Sequence, residues 1–179
     1  GPYDTGIRED LDRAIQRTEA QLEALQRELG ERMPEAAALI FDAHMMMLKD
    51  SSFTGQMKQD VDSGLSAGGA ILKTAHSYMD IFVSSPHDYM REKAHDVEDL
   101  ARRLLSNLVP EKEESHAGTF GGRIVVARDL LPSDMLTLVV EGVSGIILIG
   151  GGITSHLAIL ARSLHVPLVI LGTSSLTKI

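Results

Sequence analysis

The stretch Gly150-Gly-Gly-Ile-Thr-Ser-His156 holds the residues best suited to chemistry, and Leu-Ala-Ile-Leu-Ala-Arg162 follows it. It comes after an apolar run, Gly145–Ile149, that reads as a buried strand, and it opens a segment of helical spacing. Three glycines let the backbone approach a ligand closely, and Thr154 or Ser155 is a suitable N-cap. His156 then falls in the first helical turn, beside unpaired N–H groups and the positive end of the helix dipole. Such a terminus is a ready anion site, so a phosphate at His156 would be well placed. The same field disfavours imidazolium and keeps the ring neutral near neutral pH. A neutral ring nitrogen can attack phosphorus and hold the phosphoryl group covalently. A Gly-rich strand-to-helix turn with a His near the cap also occurs as plain structure. Two other chemistries are excluded. No Gly-Lys-Ser/Thr follows the glycines, so this is not a P-loop. The third glycine of Gly-x-Gly-x-x-Gly would fall on Ser155, so the dinucleotide fingerprint fails as well.

Composition narrows the field further. The 179 residues carry a formal charge of −8, against the Lys and Arg surplus that a nucleic-acid groove needs. Without cysteine there are no disulfides, no thiolate nucleophile and no Cys-containing zinc site. His76, His87, His95, His116 and His165 are scattered without metal-ligand spacing and read as surface or loop residues. No run approaches the roughly 20 apolar residues of a membrane span, so no membrane insertion is expected. With no signal-peptide pattern, a cytoplasmic setting is the expectation. With three Tyr, four Phe and no Trp, the core must be aliphatic, with eight Met to fill its gaps.

Two halves must position the His156 segment. Residues 7–109 favour helix, and 116–179 turn to β-branched runs broken by glycine. The polar run Pro110–Ser115 joins them. Leu11, Ile15, Thr18, Leu22, Leu25 and Leu29 mark a heptad seam on a long first helix that stops at Gly30. Further helices are expected at about 34–49, 53–65, 67–83 and 86–108. The last carries Tyr89, Ala94, Val97, Leu100, Ala101, Leu104 and Leu105 on one face. Short loops between such helices favour an antiparallel bundle or hairpins. In the second half, strands at 123–127, 145–149 and 168–171 alternate with helices at about 132–138 and 156–164, an α/β layer with parallel pairing.

The run Gly151-Gly-Ile-Thr-Ser-His156-Leu-Ala-Ile-Leu-Ala-Arg162-Ser-Leu-His-Val-Pro167, with Gly172 beyond, resembles the phosphohistidine signature of the phosphoenolpyruvate-utilising enzymes. The resemblance implies that His156 receives a phosphoryl group on Nε2. Gly151 and Gly152 would admit the phosphate, and Thr154 and Ser155 would orient or cap the site. Arg162, about two turns along, would be either a charge partner of the phosphoryl group or a structural salt-bridge former.

The helical half is similar to one branch of that family, Enzyme I of the bacterial sugar phosphotransferase system. The similarity lies in Ala38-Leu-Ile-Phe-Asp-Ala-His44-Met-Met-Met-Leu48-Lys-Asp50, in Asp88–Asp99 with Arg103-Leu-Leu, and in Val125-Val-Ala-Arg-Asp129-Leu-Leu-Pro-Ser133-Asp. It implies a helical hairpin bundle (7–109) that docks the phosphocarrier HPr, beside a phosphohistidine swivelling α/β domain (116–179) lacking its first and last strands. His44, Met46, Met47, Tyr89 and Lys93 would form the docking patch. On spacing alone, a Met stripe equally suits a core, and His44 equally suits the interior.

The two resemblances together imply phosphoryl transfer from phosphoenolpyruvate through His156 to HPr. Phosphoenolpyruvate and magnesium are expected on a C-terminal barrel of the full-length chain. No cofactor or metal is then expected in these residues, and no competence with phosphoenolpyruvate alone. A nitrogen-type or dihydroxyacetone-kinase-linked regulatory paralogue stays open as an alternative, as does a non-catalytic partner-binding helical module.

Overall fold

The computed structural model describes residues 7–109, 120–149 and 155–171, and at Glu92, Ser155 and His156 the backbone alone. Helix α1 (Arg8–Leu29) starts where the Asp10 carboxylate accepts the Ile7 N–H at 3.1 Å. It buries Leu11, Ala14, Thr18, Leu22, Leu25 and Leu29. Ala14 takes the interior place expected of Ile15, which stays half-buried. A short 3-10 turn, Gly30–Arg32, follows, with Gly30 at φ +49°. That left-handed backbone suits glycine.

Helices α2 (Glu35–Lys49), α3 (Ser51–Asp62), α4 (Ala67–Val83) and α5 (Asp88–Leu108) continue the chain. The Asp50-Ser-Ser break is the N-cap of α3. The Asp50 carboxylate accepts the Ser52 N–H at 2.7 Å, so the helix begins two residues earlier than its apolar pattern suggests. Ser66 caps α4 in the same way through the Gly69 N–H at 3.1 Å.

The chain divides into two compact units, Gly1–Ala24 with Phe41–Glu114 and Leu25–Ile40 with Ser115–Ile179. Composition placed a single boundary between residues 109 and 116. The structure instead groups the α1–α2 turn with the second unit. In the first unit, α5 buries Ala94, Val97, Leu100, Ala101, Leu104 and Leu105, while Tyr89 stays exposed. Phe53 and Tyr78 meet edge to face at 5.0 Å between α3 and α4. Buried Thr18 is satisfied on both sides: its hydroxyl donates to the Ala14 carbonyl at 2.7 Å and accepts from Asn107 at 2.9 Å. Gln21 and Asn107 exchange two further bonds, at 3.0 and 2.9 Å, which ties α1 to α5.

In the second unit, strands β1 (Ile124–Ala127), β2 (Gly145–Ile149) and β3 (Leu168–Leu171) form a parallel sheet in the order β1-β2-β3. Helices α6 (Pro132–Val140) and α7 (Ser155–Ser163) make the two crossovers. Crossovers of one hand that step in one direction place both helices on one face. There Ile146 and Leu148 are buried, with Met135, Leu136, Leu157, Leu160 and Ala161 from the helices. The other face differs. Val126, Ile147 and Val169 share a register line on it, and Val126 and Val169 are more than half exposed, as is Ile124.

Candidate functional site

Because all three strands are parallel, α6 and α7 both start from the carboxyl edge of the sheet, where open α/β sheets hold their ligands. Asp134 accepts the Leu131 N–H at 3.2 Å and, with Pro132 at its first position, fixes the start of α6. Leu157, Leu160 and Ala161 anchor α7 by one buried stripe. The backbone of Ser155 and His156 forms the first turn of α7, past the carboxyl end of the central strand. Gly151, Gly152 and Thr154 lie outside the described residues. The strand before the motif and the helix after it form as the sequence pattern expects.

Arg162 is exposed in the last turn of α7. It lies six residues from His156, about 9 Å along the axis and about 240° around it. The geometry therefore supports a helix-end role, since a cation there complements the dipole. It places Arg162 away from the first turn. Met135, in the turn region of α6, is fully buried and contributes packing.

The residues expected to dock a carrier separate into two sets. Met46 is 73% exposed on α2, and Tyr89 is 63% exposed in the first turn of α5. Met47 is half-buried, as is Lys93, whose ammonium stands 3.5 Å from Asp96 on the same helix. His44 is the exception. Its ring is fully buried and presents nothing to a partner. Position 44 falls on the buried stripe of α2 with Phe41, Leu48 and Ile40, so its periodicity decides the matter. Burial lowers its pKa from the usual value to about 4. Asp96 opposes that shift, while Arg103 and Lys93 assist it. Among the described residues, neither ring nitrogen has a partner within normal hydrogen-bond geometry, although the Asp96 backbone lies near enough to favour the protonated ring slightly.

Sequence reasoning missed Asp96 as the group that faces His44, although the Lys93–Asp96 spacing of three was a readable signal. It also missed Ile81 and Val83, exposed at the end of α4 just before the turn into α5. Neither belongs to the buried stripe Ala67, Ala70, Ile71, Thr74 and Ala75. Among the described residues, no group of three His, Asp or Glu stands close enough to hold a metal ion. No described helix is long and apolar enough to cross a membrane.

The family model for the N-terminal part of PEP-utilising enzymes matches residues 6–93, and that for their mobile domain matches residues 120–179. The chain belongs to the PEP-utilising enzyme family. Among its curated relatives, it is 36% identical to the phosphoenolpyruvate-protein phosphotransferase of Enterococcus faecalis over 169 residues, 93% of this chain and 29% of that protein. It is also 36% identical to the protein of that name from Listeria monocytogenes over 176 residues, covering 94% of this chain and 31% of the relative. The chain thus spans about three tenths of the length of these relatives. A solution structure of an Enzyme I protein (nEIt) superposes with a TM-score of 0.72 at 30% identity, over 91% of this chain and 66% of that one. The N-terminal domain of a nitrogen-type Enzyme 1 gives 0.68 at 25% identity, over 94% and 70%. The helical bundle and the small parallel sheet are therefore the architecture of this branch of the PEP-utilising enzymes.

Proposed function

We propose that this chain is the phosphoryl-relay part of a phosphoenolpyruvate-protein phosphotransferase, with His156 as the residue that carries the phosphoryl group. The observation that carries this reading is the position of His156 in the first turn of α7, beyond the carboxyl end of the central strand. Nε2 of the neutral ring attacks the phosphorus of phosphoenolpyruvate. The N–P bond forms as the ester P–O bond breaks, and the enolate of pyruvate leaves with the electron pair. A ring nitrogen of a carrier protein of the HPr kind then attacks the same phosphorus, and the His156 N–P bond breaks. Gly151 and Gly152 would admit the phosphate, Thr154 and Ser155 would orient or cap the site, and the N–H groups of a helix N-terminus would stabilise the dianionic charge.

Magnesium supplies charge neutralisation at phosphoenolpyruvate when bound. In this reading its seat lies with the phosphoenolpyruvate site on a C-terminal barrel of the full-length protein. Met46 and Tyr89 are exposed apolar groups for the carrier to cover.

The test is transfer of label from radioactively phosphorylated carrier to this chain. Acid-labile, base-stable label on His156 is expected, and none in His156→Ala. Label that persists in His156→Ala would overturn the assignment. With phosphoenolpyruvate and magnesium alone, the chain should stay unlabelled.

A further inference from the structure

Glu28 and Arg32 stand four residues apart, a spacing that pairs Glu with Arg on a continuous helix. Here α1 ends between them and the 3-10 turn intervenes. Among the described residues, neither makes an ion pair, and both are exposed. They lie on the wall of a cavity of about 650 Å³ within the second unit. That is the size range of small-molecule sites. Leu29, Val139, Val140 and Leu164 supply an apolar lining. Three helices, α1, α6 and α7, reach the wall with their C-terminal ends. The dipoles of these helix ends favour a cation, although the carbonyls of Leu138, Val139, Ala161 and Arg162 already accept N–H groups of the following turns. The wall therefore offers a cation-favouring region of helix ends and Glu28, a single guanidinium at Arg32, and an apolar lining.

His165 adds an independent observation. It sits just past α7, where its N–H donates to the Arg162 carbonyl at 3.1 Å and the Val166 N–H donates to that of Ala161 at 2.9 Å. Its φ is +56°, the left-handed region that glycine normally fills at this place. A side chain there costs about 1 kcal/mol. The chain keeps an imidazole on the cavity wall at a position where glycine would fold more easily.

We propose that this cavity binds a small zwitterion with an apolar body, an α-amino acid with an apolar side chain. The carboxylate pairs with Arg32, the ammonium faces Glu28 and the helix ends, and the side chain lies on Leu29, Val139 and Leu164. The site is separate from the phosphoryl relay and does not depend on that reading. The test is titration of the 179-residue chain with L-leucine and L-phenylalanine, followed by calorimetry and backbone amide shifts. Two analogues of leucine accompany them, 4-methyl-2-oxopentanoate without the ammonium and isoamylamine without the carboxylate. Saturable binding of at least one amino acid is expected, with shifts at Leu164 and His165 and about tenfold weaker binding of both analogues. Arg32→Gln should weaken binding by at least about tenfold with the fold intact. His165→Gly should weaken it while raising the melting temperature. Absence of saturable binding by either amino acid, oxo-acid binding as tight as that of leucine, or unchanged affinity in Arg32→Gln would each overturn the proposal.

Discussion

His44 on α2 and Asp96 on α5 lie close enough to bias each other's protonation, and burial moves each away from its charged form. For His44, burial outweighs the attraction of the Asp96 carboxylate and takes the pKa to about 4. For Asp96, burial again comes first and raises the pKa, while Lys93 and His44 pull it down. A neutral imidazole thus occupies the space between two helices that carry the exposed Met46 and Tyr89.

Stability should fall with acid because of His44. Its folded pKa is depressed below 6.5, so between pH 6.5 and about 4 the unfolded chain binds more protons and stability drops as pH drops. The contribution is about 2 kcal/mol between pH 7 and 5. Asp96 acts oppositely, since a raised carboxylate pKa favours the folded state as pH falls, and it offsets part of this loss. Urea unfolding at the two pH values should show the slope in the wild type and a flatter one in His44→Leu.

Docking should depend on His44 through packing. His44→Ala leaves a cavity under α2, worth about 2–4 kcal/mol, and should weaken carrier binding. His44→Leu fills the space, removes two unpartnered ring nitrogens and should keep binding near wild type. Calorimetry with the carrier decides. Equal loss in both variants would mean that the imidazole itself is required.

The cap of α3 offers a simple calibration. Asp50→Ala removes the acceptor of the Ser52 N–H and should cost about 1 kcal/mol, while Asp50→Asn should cost only tenths. Thermal melts of the two variants measure the difference.

The sheet should be the weaker half of the chain. Its edges β1 and β3 are unpaired on their outer sides among the described residues, and one face exposes Ile124, Val126 and Val169. Amide exchange should be faster in β1–β3 than in the buried stripes of α4 and α5. Replacing Ile124 and Val126 with Thr should reduce self-association at micromolar concentration and change stability by less than about 1 kcal/mol.

Local information is enough for the elements of this chain. The apolar steps along residues 11–29 and 94–105, Gly30 after a long helix, and the strand–glycine–helix order before His156 depend only on neighbours in sequence. Each element therefore formed within a few residues of where its pattern placed it, and the resemblance to the family signature singled out His156 as the candidate without any fold. Tertiary packing decided the rest. Whether Met46 or His44 faces water depends on which side of α2 its neighbours cover, and the structure buries the imidazole while it leaves the thioether outside. The α1–α2 turn joined the second unit because its partners are more than a hundred residues away, beyond the reach of any local pattern. The convergence of three helix ends around Glu28 and Arg32 comes from how helices are cut and stacked. Sequence spacing sets which residues share a face, whereas burial depends on what lies opposite, and only the folded chain supplies that.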